Sequence, residues 1–142
     1  MLSTEVSLLK EAIHKEYPAM KIVFLTCNNQ CNARFYAPQG GKAVNPDRGM
    51  VIDWGVVKED LYDFYLIPHG SRQGIQGPTR FHLLYANQEV NARALYELTY
   101  RLCYGYFNYS SSVKVPSPVT YAHRLAYFLG EIEAKKSLTL PK

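Results

Sequence analysis

With 142 residues the chain is long enough for one domain around a single core. Its 47% hydrophobic content excludes a charged disordered tail, and a net charge of +4 spread over scattered Lys and Arg is only a weak pointer to an acidic partner. No apolar run is long enough to cross a bilayer, and the first residues mix charges with leucines instead of forming a signal peptide, so the expected location is cytoplasmic or nuclear, away from any membrane.

Residues 3–16 repeat apolar side chains at helical spacing, with Val6, Leu9, Ala12 and Ile13 on one face, and Tyr17-Pro18 ends the helix. Lys21 to Cys27 is continuously apolar from Ile22 to Leu25, which predicts a central strand covered on both faces. A polar turn at Asn28 to Asn32 leads to Ala33–Ala37, expected as a second strand that makes a hairpin with the first. Cys27 and Cys31 lack the second Cys or His pair that structural zinc requires, so they and Cys103 are expected to be reduced structural thiols.

Pro38 to Gly49 is a loop by composition, followed by short strands at Met50–Asp53 and Tyr62–Ile67. Pro68 to Pro78 (PHGSRQGIQGP) is the stretch most suited to bind a ligand: its glycines allow close approach of backbone amides, and His69, Arg72 and Gln73 offer donors to phosphate or ribose oxygens. A strand at Thr79–Ala86 leads into a helix capped by Asn91, with Leu95, Leu98, Leu102 and Tyr106 as its predicted buried stripe and Glu97 paired to Arg101 outside. After a brief extended segment at Val113–Val115, Ser117-Pro118 signals a last helix. There Val119, Ala122, Leu125, Ala126, Leu129 and Ile132 form an apolar face, and His123 stands beside it near the helix start. A helix, several strands and two further helices predict an α/β layered domain with a mixed sheet.

Five strings in this order, NPDRGMVID, YDFYL, PHGSRQG with PTRFHLLY, LTYRLCYGY and VPSPVTYAHRLAYFLG, resemble the C-terminal part of the Piwi domain of Argonaute proteins. The likeness runs over nearly the whole chain. RQG at Arg72 to Gly74, and the absence of arginine at Phe128, are more similar to the Piwi branch than to the microRNA-binding one.

The resemblance implies a ribonuclease H-like fold, a mixed sheet flanked by helices, that holds a small guide RNA and its complementary target in RNA silencing. In active members it implies an endonuclease using three carboxylates and a histidine around two magnesium (or manganese) ions. His123 matches that catalytic, metal-binding histidine. The three carboxylates belong to segments preceding the matched part, so this chain is not expected to retain the ions or to cut RNA unaided. Its partners would be guide and target RNA and the remainder of an Argonaute or Piwi protein, namely the Mid domain and the upstream Piwi segment. Arg34, His69, Arg72, Gln73, Tyr106 and Lys114 match positions that the family sets near RNA phosphates and riboses, whereas Asn29 and Gln30 replace a basic pair. Two alternatives remain: a non-catalytic protein-interaction domain of the same fold with no RNA role, and a small metal-dependent hydrolase built from His69, His82 and Asp53.

Overall fold

Six strands and three helices follow one another in the computed structural model, which describes residues 2–57, 62–70 and 74–139. They are α1 (Leu2–Glu16), β1 (Val23–Asn28), β2 (Ala37–Gln39), β3 (Lys42–Val44), β4 (Val51–Ile52), β5 (Asp63–Leu66), β6 (Thr79–Ala86), α2 (Ala92–Leu102) and α3 (Ser117–Thr139). Four strands form one sheet in the order β1-β6-β5-β4, and each described pairing is antiparallel, where the sequence suggested a mixed sheet.

The core sits where α2 lies over the middle of this sheet. Every residue of β5 is buried. Phe64 stacks on Phe81 of β6 at 5.2 Å between centroids and meets the ring of Tyr96 from α2 at 4.5 Å. Such aromatic pairs add about 0.5–1.5 kcal/mol beyond their burial. On β1, Val23, Leu25 and Cys27 pack against the same core, and Phe24 turns to the other face beside Tyr85. That alternation is the two-residue period of a strand covered mainly on one side. Instead of lying in the centre of the sheet, β1 is half-buried at its edge among the described residues.

Its partner also differs from the expected hairpin. β1 pairs with β6, and residues 33–36 are not in a strand. Phe35 instead lays its ring edge-on against Tyr65 at 5.2 Å, covering the face of β5 opposite α2. The hairpin lies a few residues later, where β2 and β3 pair across Gly40-Gly41. Both glycines have positive φ (57° and 77°), the backbone that a two-residue turn between twisted strands requires. Gly-Gly between extended residues is a readable hairpin signal, masked here by the overall Gly and Pro content of the loop.

In α2 the N-cap falls as expected, with Asn91 Oδ1 accepting from the Ala94 amide at 3.0 Å. The buried stripe does not. Leu95, Thr99 and Cys103 face the core, whereas Leu98 is 56% exposed and Leu102 is exposed as well. Thr99 can be buried because its hydroxyl donates back to Leu95 O at 2.7 Å, and the Cys103 thiol does the same to Thr99 O. Gly49, with φ 89°, brings the chain before β4 so close to α2 that a Cβ would stand 3.1 Å from the Tyr100 ring.

α3 starts at Ser117, one residue before the expected Pro118. Pro116 O accepts from the Val119 and Thr120 amides, and the Ser117 hydroxyl donates to Leu102 O at 2.9 Å instead of accepting a first-turn amide. Its apolar row is uncovered: Leu125 and Leu129 are exposed, and beyond Thr120 only Ile132 is half-buried among the helix positions described.

Candidate nucleic-acid interface

The irregular segment after β5 gathers basic groups because two hydrogen bonds tie remote pieces of chain to the start of β6 and a third ties those pieces to each other. Thr79 Oγ1 donates to Lys114 O at 2.7 Å, the Cys31 thiol donates to Pro78 O at 3.1 Å, and the Lys114 ammonium donates to Asn29 O at 2.6 Å. Arg34 is anchored in the same place through the Cys31 and Ala33 carbonyls, at 3.0 and 2.7 Å. Lys114 Nζ and Arg34 Nη1 consequently meet over Gly77, 3.4 and 3.8 Å from where a Cβ would stand.

Both cations are held by carbonyls alone, with no carboxylate ion-paired to either among the described residues. His69 lies within electrostatic reach. Burial pushes its imidazole below the ordinary value of 6.5, and the Lys114 ammonium pushes it the same way. Its Nδ1 is buried without a hydrogen-bond partner. Two cations and an orphaned ring nitrogen, gathered where a glycine leaves room, form a seam that an anion would relieve.

Of the six positions expected to touch RNA, the fold brings Arg34, His69 and Lys114 together. Tyr106 joins a second group. Its ring lies 5.7 Å from that of Tyr121, the Arg124 guanidinium sits 5.2 Å from its centroid, and the Tyr121 hydroxyl accepts from the Phe107 amide at 2.8 Å. Tyr121 and Arg124 of this group are on α3, as is His123, which is exposed. Arg72 and Gln73 lie outside the described residues.

A feature that the sequence reading missed adjoins the seam. Asn45 accepts from the Gln76 amide at 2.9 Å and donates to Gly74 O at 2.8 Å, while Arg48 donates to the Ser111 hydroxyl at 2.8 Å. These bonds shape an open cleft of about 1170 Å³ between the chain before β4, the residues before β6 and the α2–α3 connection. Gln76 and Ser112, 2% and 1% exposed, line it with side-chain atoms that have no partner. A run of serines reads as a loop, and only tertiary packing reveals that one of them is buried.

Asp63 is buried and forms a two-pronged ion pair with Arg80 on the neighbouring strand, so its role is architectural. That hydrogen-bonded pairing raises the Arg80 pKa further. Among the described residues no three His, Cys, Asp or Glu converge on a point where a metal could sit, which removes the grouping of His69, His82 and Asp53. The described residues do not by themselves fit a magnesium or manganese ion. Burial pushes the Cys27 thiol up to about 11 and, with Cys27 nearby, Cys103 to about 12, which leaves neither as a ready ligand or nucleophile.

The Piwi domain family matches residues 1–132. The chain belongs to this family. It corresponds to the C-terminal part of a Piwi domain. It is 31% identical over 121 residues to Piwi-like protein 1 of Gallus gallus, a match covering 85% of this chain and 14% of that protein. The crystal structure of Drosophila Piwi superposes with a TM-score of 0.78 at 30% identity, over 89% of this chain and 18% of that one. The structure of Kluyveromyces polysporus Argonaute with a guide RNA gives a TM-score of 0.75 at 27% identity, over 85% of this chain and 16% of that one. The chain thus spans about a seventh of the length of its Gallus gallus relative. Among the described residues of this Piwi chain no helix is long and apolar enough to cross a membrane.

Proposed function

We propose that this Piwi chain forms part of the wall of a guide and target RNA channel in RNA silencing, gripping the sugar-phosphate backbone through Arg34, Lys114 and His69. The observation that carries this reading is the meeting of two carboxylate-free cations over Gly77. A phosphodiester supplies the negative charge they lack and acceptor oxygens for their spare N–H groups. The likeness to an Argonaute solved with a guide RNA supports the same ligand class.

Arg72 and Gln73, which follow His69 in the sequence, and Tyr106 beside Tyr121 of α3 are proposed to extend the contact. His123 is proposed as the family's site histidine. It becomes a metal ligand only where carboxylates from another polypeptide segment, with the Mid domain beside it, complete the set. By itself the chain binds RNA without cutting it.

The test is binding of a short single-stranded RNA across a salt series. Neutralising a phosphate-bound cation reduces the slope of log K against log[salt] by roughly 0.7–0.9. Arg34→Ala and Lys114→Ala should each do so and weaken binding across sequences alike. Unchanged slopes in both variants would refute the proposal.

A further inference from the structure

We infer that the cleft between the segment before β4 and the α2–α3 connection is a pocket for an unpaired nucleobase, with guanine the best match. This rests on the RNA-binding reading above but assigns a different contact, to a base edge and face instead of the backbone. The cleft carries a charge pattern unlike that of the seam. Asp47 and Arg48 line it together, with the Gln76 amide nitrogen and the Ser112 hydroxyl unpartnered and almost wholly buried in its wall.

A phosphate would meet the Asp47 carboxylate as a like charge. A base presents both kinds of group. Guanine offers N–H donors from its Watson–Crick edge to a carboxylate, and the acceptors O6 and N7 to a guanidinium or an amide N–H. The exposed Tyr109 ring lines the same cleft and supplies a face for stacking, an interaction that sequence-neutral single-strand binders also use. Arg48 is steadied for this by Ser111, and the Gln76 backbone by Asn45, so two of the edge contacts sit on a braced frame.

Gly70 gives a way to narrow the cleft. It lines the cavity, and among the described residues a Cβ built there meets no atom within 4 Å. Gly70→Leu should narrow the cleft, and Tyr109→Ala should remove the stacking face from the surface.

The experiment compares guanosine monophosphate with ribose 5-phosphate as ligands of the full chain, by titration calorimetry or by chemical-shift changes. The base should improve binding about tenfold, the scale of one base stacked on an aromatic ring. Adenosine, cytidine and uridine monophosphates should bind less tightly than the guanosine form. Both Gly70→Leu and Tyr109→Ala should erase the advantage of the base, while Arg34→Ala weakens ribose 5-phosphate and leaves that advantage in place. Equal binding of the nucleotide and ribose 5-phosphate, or an advantage that survives Gly70→Leu, would overturn the pocket assignment without touching the seam. Loss of every effect of Arg34→Ala would instead remove the backbone reading.

Discussion

His69 ties the chemistry of the seam to pH. Its folded-state pKa lies below the ordinary 6.5 because burial and the Lys114 charge both disfavour the imidazolium. The unfolded chain therefore takes up a proton first as pH falls, and the stability due to neutral His69 is complete above about 6.5 and lost as pH drops through the lower, folded value. Urea melts at about pH 7.5 and about pH 5.5 should show the chain weaker at the acidic end, and His69→Gln should flatten the difference. RNA has the opposite influence, since phosphate beside the ring favours its charged form, so binding should tighten on mild acidification. His123 has no comparable burial, and His123→Ala should leave the melting temperature unchanged. At this scale the motifs singled out Arg34, His69 and Lys114, which the fold brings near one another. Gln76 and Ser112 were not singled out, because an amide or hydroxyl becomes an orphan only through what packs around it.

For the elements, α2 shows where periodicity misleads. Leucines at 95, 98 and 102 suggest one stripe, yet the helix is rolled so that Thr99 and Cys103 take the inner row and Leu98 faces outward. Both inner side chains are small, and each discharges its polar group onto the helix's own carbonyls, so neither costs a buried unpaired donor. Leu95→Ala should cost about 2–5 kcal/mol through the cavity it leaves beside Phe64 and Phe81. Leu98→Ala should stay within about 0.5 kcal/mol, as substitutions at exposed positions do. Equal midpoints for the two variants in guanidinium titrations would contradict this orientation. The limits of β6 and the Asn91 cap, by contrast, were readable from residues alone, since β-rich composition and an amide cap are local properties. The position of β1 was not. A short apolar run does not say whether its second face is covered by strands or by the half-exposed contacts of α1, where Lys10 reaches the Tyr85 ring at 5.0 Å.

Across the whole molecule, apolar surface is distributed unevenly. The centre of the sheet is tightly filled, whereas α3 carries Leu125, Phe128 and Leu129 in the open. Exposed rows of this kind favour self-association. Replacing Leu125 and Leu129 by lysine should lower the sedimenting mass at high concentration and leave the thermal midpoint almost unmoved. A drop in that midpoint would mean the row is covered in solution. The α/β layering was foreseeable from element order, but the long-range partner of β1 was not, because nothing local distinguishes a neighbour a few residues away from one far along the chain.

That partner has a consequence for biosynthesis. Thr26 of β1 faces His82 of β6, 56 positions later in the chain. At ribosomal speeds of about 5–20 residues per second, the earlier strand leaves the exit tunnel roughly three to eleven seconds before the later one can dock. Throughout that interval Val23, Leu25 and Cys27 wait for β6. A nascent-chain holdase, or slowed contact with neighbouring polysomes, would be needed most while these few apolar residues wait.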